Sequence, residues 1–388
     1  MGEFGAPQWK RARPANNLVS VQLPAQYPVA YARNTKVQLT ARFKVTKPPT
    51  CPTDVWVKGT AQITQKSTMV WVKLLTVKPS DHFVEFVDVI SDISLPDHIT
   101  YYDPFWIEWI FNTGTSTATR QSAGASTNPL YVLHGAPIVT PIFWTLVHHS
   151  CRAAHGHYQI DGAVKSMYTI FEGAQATPPR PVKRVRDGIV LTYWKPPLDI
   201  PTTSQTDVLL SSRIGNARCG NWSSFMVDMC RTHGIANIEG SHLYVSNPTG
   251  GAIGMLVKNW SFIASPKTAP FSALLGRTSV WMTHRVDGDG FFEIGLPTGE
   301  CINQTGVAAQ GNSEPQPFFV DHAIVKYFVT DSAKVKKVIF YDPSYGTPAT
   351  YSELEWEMMS LDGVTTKWPP HLTAGRHPGV KVFDFHKF

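Results

Sequence analysis

The chain has 388 residues, 43% of them hydrophobic, so it is too apolar to be disordered and long enough for two ordinary domains. Its formal charge of +6 is mild and spread along the sequence. A nucleic-acid binder gathers its Lys and Arg into patches, so nucleic acid is not the expected partner. No apolar run reaches about 18 residues, which leaves no candidate for a membrane-spanning helix.

Met1 to Asn17 lacks a hydrophobic signal core and reads as a polar leader. From residue 18 to 133 short alternating runs follow, among them Lys36 to Val45, Thr68 to Leu75 and His82 to Val89. Prolines punctuate them. Period-two runs at short, regular spacing predict an antiparallel β-sandwich of immunoglobulin-like type. The Ser/Thr/Gly-rich stretch Thr113 to Thr127 reads as an exposed loop.

The character changes near Gly135, and residues 134–388 are read as a second, α+β domain. Helices are expected over Ile142 to Val147 and Val164 to Phe171. The Pro-rich basic segment Pro178 to Arg186 reads as a solvated loop. The five cysteines, at 51, 151, 219, 230 and 301, form no CxxC pair, so the redox compartment stays open, an extracellular one included.

The strongest helical signal begins at Cys219. Trp222, Phe225, Met226, Met229 and Cys230 make an apolar stripe, with Arg231 and His233 near the end and Gly234 as a left-handed cap. Cys219 therefore stands at a helix N-terminus, where unpaired N–H groups and the helix dipole favour a thiolate. Gly215 and Gly220 permit a tight turn there.

Phe318 to Val329 and Val335 to Asp342 read as a hairpin centred on Ser332. That register sets His322 directly opposite Asp342, so a carboxylate can hold one imidazole nitrogen and leave the other for a thiol. A slip of one residue would send the two to opposite faces.

These residues resemble the transglutaminase-like superfamily, which includes transglutaminases, cysteine proteases and peptide N-glycanases. Arg218-Cys-Gly-Asn-Trp-Ser-Ser-Phe looks like its nucleophile helix. Phe319-Val-Asp-His-Ala-Ile-Val looks like its histidine strand, and Tyr341-Asp-Pro-Ser-Tyr-Gly like its aspartate strand. The order Cys, His, Asp is the family's.

The resemblance covers about the last half of the chain. It implies a papain-like catalytic domain with Cys219 as nucleophile, His322 as base and acid, and Asp342 as its orienting partner. It also implies an upstream oxyanion donor, for which Trp194 is placed. The substrate implied is a protein or peptide amide, a Gln side chain included, and no cofactor or metal is called for. Gly240 to Phe318 exceeds the compact family core, which predicts an inserted sheet or flap. The zinc-binding CxxC pairs of the N-glycanase branch are missing.

Other readings stand beside these. Cys219 can be a packed thiol and His322 a satisfied sheet histidine, leaving a non-catalytic adhesion or binding protein. His148, Cys151 and His155 share a helical face and could hold zinc, although Gly156 should end that helix. Asp287-Gly-Asp-Gly resembles part of a calcium loop, but a hairpin turn explains it better.

Overall fold

Alternation of apolar and polar residues between Val29 and Leu133 builds seven strands: β1 Val29–Ala32, β2 Lys36–Lys44, β3 Thr53–Thr64, β4 Ser67–Val77, β5 Phe83–Ser94, β6 Thr100–Asn112 and β7 Arg120–Leu133. Strand β3 shows the period, burying Val55, Val57, Ala61 and Ile63 while Trp56, Lys58 and Gln62 face solvent. The order β1–β7–β6–β3–β4 makes one sheet, and β2–β5 makes the second.

Val37, Leu39 and Phe86 of the smaller sheet meet Val57, Trp71 and Trp109 of the larger in one core. Burying a side chain such as Phe86 stabilises by about 1.5–3 kcal/mol. Trp71 also donates from Nε1 to the Val37 carbonyl at 2.8 Å, tying one sheet to the other. Gly59 leaves room for Trp109, whose ring lies 2.7 Å from where a Cβ would stand.

The computed structural model describes residues 28–46, 49–114, 120–139, 141–195, 203–211, 215–245, 308–313, 321–330 and 336–365. It adds strand backbone at 4–5, 254–257, 261–262, 281–283, 298–302, 318–319 and 381–387. The chain forms two compact units. One comprises Phe4–Ala163 with Thr232–Gly234, and the other includes Val164–Arg231 and Ile235–Phe388. The change of character at Gly135 falls inside the first unit. Among the described residues no helix is long and apolar enough to cross a membrane.

Several local expectations are corrected. Strand β1 runs parallel to β7, so the sheet is not antiparallel throughout. Residues 120–127, expected in a loop, belong to β7, because its backbone pairs with β6 from Asn112↔Arg120 to Trp106↔Thr127 whatever its polar side chains prefer. Ile142–Phe143 is a short strand paired with Phe4–Gly5, and helix α1 starts after it, at Trp144–Ala153. The next helix, α2, spans Ile160–Glu172, beginning earlier than Val164.

The histidines around α1 have separate partners: His148 Nδ1 lies 2.8 Å from the Tyr131 hydroxyl and His155 Nδ1 lies 3.0 Å from Thr100 Oγ1. No cluster of His, Cys, Asp or Glu able to hold a metal occurs among the described residues. The basic segment is not a solvated loop throughout, since Val182 and Arg184 are buried. Arg184 is kept there by a bidentate pair with Asp187, at 2.9 and 2.6 Å. Asp287 to Gly290 lies outside the described residues.

In the second unit, β8 (Thr192–Tyr193) pairs in parallel with β9 (Asn216–Ala217). Helix α3 follows at Cys219–Thr232, and Gly234 takes the left-handed conformation at φ 78°. The central antiparallel sheet has the order Trp281–Thr283, β10 (Ile238–Val245), β11 (Asp321–Thr330), β12 (Lys336–Asp342), β13 (Thr347–Thr350). Helix α4 comes next, at Glu353–Ser360. Strand segments from 254–319 join 361–365 and 381–387 in a further six-stranded sheet.

Candidate active site

The expected stripe is the buried face of α3: Trp222, Phe225, Met226, Met229 and Cys230 are all fully buried. Phe171 of α2 meets Trp222 and Phe225 edge-on, with centroids 6.2 and 5.8 Å apart. Ser223 Oγ donates to the Ile324 carbonyl at 2.9 Å, docking α3 against β11.

At the helix start Asn221 Oδ1 accepts the Arg218 N–H at 3.1 Å. Its Nδ2 donates to the Thr203 and Gln205 carbonyls. One side chain thus closes the first turn and fixes the segment before it. Gly220 is required, because a Cβ would stand 2.2 Å from Ser204 Oγ. Cys219 is half-exposed here, whereas Cys151 and Cys230 are buried.

The hairpin register differs from the expected one by two residues. Val325 pairs with Tyr341 and Thr330 with Lys336, so His322 and Asp342 are diagonal neighbours rather than directly opposed. A shift of two preserves the side-chain face. His322 Nε2 and Asp342 Oδ2 stand 3.0 Å apart, both fully buried. Cys219 lies close enough to His322 to add to the upward pull on the imidazole pKa.

Burial alone would push His322 down from 6.5. The Asp342 charge and hydrogen bond, helped by Cys219, outweigh burial and raise it to about 10. That direction favours the charged form of the imidazole beside Asp342.

Asp342 is held on every side. Oδ1 accepts the Ser344 and Tyr345 N–H groups, each at 3.1 Å, and Oδ2 also accepts Trp356 Nε1 at 3.2 Å. The Trp356 ring lies nearly parallel to the imidazole, at 14° and 5.7 Å. Tyr168 donates to the Thr347 carbonyl and accepts the Asp342 N–H at 3.2 Å. Gln310 Nε2 donates to the Pro343 and Phe171 carbonyls at 2.9 and 2.7 Å.

Sequence reasoning missed Trp356, Tyr168 and Gln310. They lie outside the three motifs, and no local pattern marks them. Tyr345 lies inside the aspartate motif, and its ring packs 5.5 Å from the imidazole.

Trp194 has φ 50°, a strained value for a bulky residue. Its neighbours over-determine that backbone. Tyr193 donates to the Gln310 carbonyl at 2.7 Å, Trp194 to Ala217 at 3.0 Å, and Lys195 to Asn216 Oδ1 at 3.1 Å. The indole Nε1 is buried without an acceptor among the described residues. A groove of about 480 Å³ runs along α3, lined by Gly220, Ser223, Asp228, Ser241, His242 and Ala323 among others. It passes the chain neighbours of Cys219 and His322 rather than enclosing the two residues. No family model matches the chain, and no curated protein or solved structure matches it either.

Proposed function

We propose that the second unit is a thiol-dependent acyl-transfer enzyme acting on protein amides, with a transglutaminase-like arrangement of Cys219, His322 and Asp342. One observation carries this reading. A buried imidazole is fixed by a carboxylate at 3.0 Å beside a half-exposed thiol at the start of a helix. Packing alone has no need for a charged His–Asp pair in a dry core, since such a pair is costly to desolvate.

His322 takes the Cys219 proton, and the thiolate attacks the amide carbon, forming the C–S bond. The oxygen that becomes negative is met by the Cys219 N–H, which has no partner within the helix, and by Trp194 Nε1. Collapse breaks the C–N bond as His322 returns its proton to the departing amine or ammonia. Water or a second amine then gives a proton to His322 and attacks the thioester, releasing the thiolate. Asp342 keeps the imidazole oriented and its charged form stable. In the first unit the order β1–β7–β6–β3–β4 over β2–β5 supports an immunoglobulin-like sandwich.

The experiment is intact-mass analysis of a Gln-containing protein incubated with this chain, with and without a primary amine. A gain of about 1 Da per site indicates deamidation, amine adducts indicate transfer and fragments indicate proteolysis. Equal products from Cys219→Ala would end the proposal.

A further inference from the structure

We infer that Arg218 forms a carboxylate-binding subsite beside Cys219, so that the preferred acyl donor carries an acidic group next to the reactive amide. This rests on Cys219 being the nucleophile proposed above.

The backbone of Arg218 is fully committed. Its N–H bonds Asn221 Oδ1, and its carbonyl accepts the Asn221 and Trp222 N–H groups at 3.1 and 3.3 Å. Its side chain is not. The guanidinium lies over the Trp194 ring, with Cζ 5.4 Å from the centroid. Nε is buried and has no acceptor among the described residues.

Arg184 shows what this chain does with a structural arginine: Nε and Nη2 take both Asp187 oxygens, and Nη1 takes the Leu210 carbonyl at 2.6 Å. Nothing comparable is provided for Arg218 among the described residues. A buried donor without an acceptor costs free energy and calls for an explanation.

Arg218 Nε is such a donor, on a guanidinium that lies over the ring of Trp194, whose own Nε1 is taken up by the oxyanion role proposed above. The strained backbone at Trp194 holds the ring beneath that guanidinium in place. Arg218 is half-buried rather than enclosed, and it directly precedes the half-buried Cys219. A carbonyl oxygen would satisfy one N–H but leave the positive charge unbalanced. A carboxylate satisfies the planar fork and neutralises it.

The test compares alkylation of Cys219 by iodoacetate and iodoacetamide. Both reagents form the same S–CH2 bond and expel iodide, but only iodoacetate carries a carboxylate. The expected iodoacetate-to-iodoacetamide rate ratio at Cys219 falls about tenfold in Arg218→Gln and is largely kept in Arg218→Lys.

An arginine that merely eased thiol ionisation would change both rates together and leave the ratio alone, which would overturn the subsite. On the unaltered chain, acetate should protect Cys219 from iodoacetamide while acetamide should not. Absence of that difference overturns the inference even if Arg218→Gln does not fold. A Cys219 inert to both reagents in the unaltered chain instead counts against the nucleophile itself.

Discussion

Replacing Asp342 by Asn alters almost no volume, and its consequences can be counted on the structure. The carboxylate accepts four hydrogen bonds, two backbone N–H groups at Oδ1, and His322 Nε2 and Trp356 Nε1 at Oδ2. An amide has one oxygen. If that oxygen stays on the backbone pair, its NH2 group faces Trp356 and His322. The indole N–H is then orphaned, and the imidazole proton is forced from Nε2 to Nδ1. If the amide turns round, two backbone N–H groups are orphaned instead.

Losing a bond to a charged group costs about 1.5–3 kcal/mol and orphaning a buried donor about 1–3 kcal/mol. The expected destabilisation is therefore about 3–5 kcal/mol, as for other broken buried pairs. The imidazolium also loses its counter-charge while remaining buried. In the unaltered chain His322 is raised from 6.5 to about 10. Its stabilising contribution is thus complete below 6.5 and fades as pH climbs through about 10.

Denaturant unfolding followed by tryptophan fluorescence should show that decline, and Asp342→Asn should remove it. At pH 7 alkylation of Cys219 should slow about tenfold or more in the variant, since an unassisted Cys is only a few per cent thiolate there. A variant within about 1 kcal/mol of the unaltered chain, an ordinary surface-mutation effect, and alkylated equally fast would refute the reasoning.

Other perturbations follow from equally local geometry. Gly346→Ala should destabilise the second unit by about 3 kcal/mol in the same unfolding assay, because φ is 64° and a Cβ would stand 2.0 Å from the Phe171 carbonyl oxygen. Arg184→Met should cost about 2 kcal/mol at pH 7 by orphaning the buried Leu210 carbonyl and removing the bidentate partner of Asp187, which keeps the Ile189 N–H and Arg186. Arg184 holds Asp187 below the usual carboxylate range, so the difference should shrink when unfolding is repeated in acid.

His233 is buried with Nε2 2.8 Å from Ser150 Oγ, and burial, with His134 adding to it, lowers it from 6.5 to about 3. Its contribution is complete above 6.5 and lost as pH falls toward 3. Thermal melts of His233→Gln should show less acid sensitivity in that window.

How far the sequence could be read follows from which interactions are local. The α3 stripe was legible because period and cap lie within sixteen residues, Cys219 to Gly234, and burial follows period directly. The face shared by His322 and Asp342 was legible although the register was not. Side-chain alternation survives an even shift, while the exact pairing depends on turn geometry that composition does not encode.

Residues 120–127 were misread because a strand carrying Gln121, Ser122 and Ala125 is held by backbone pairing, which leaves no hydrophobic trace. Arg184 looked like part of a solvated basic run until Asp187, three residues on, neutralised it inside the protein. Trp356 and Gln310 brace the aspartate through contacts made only after folding, so nothing local could nominate them.

The most direct test of the central claim uses Cys51 as an internal standard, because it is exposed and Cys219 only half so. The chain is pulse-labelled with iodoacetamide near pH 6, and each cysteine is read by peptide mass. If His322 and Asp342 activate the thiol, Cys219 is modified well before Cys51, and His322→Ala abolishes that lead. If Cys51 is modified first and His322→Ala changes neither rate, accessibility alone governs both thiols and Cys219 is not an activated nucleophile.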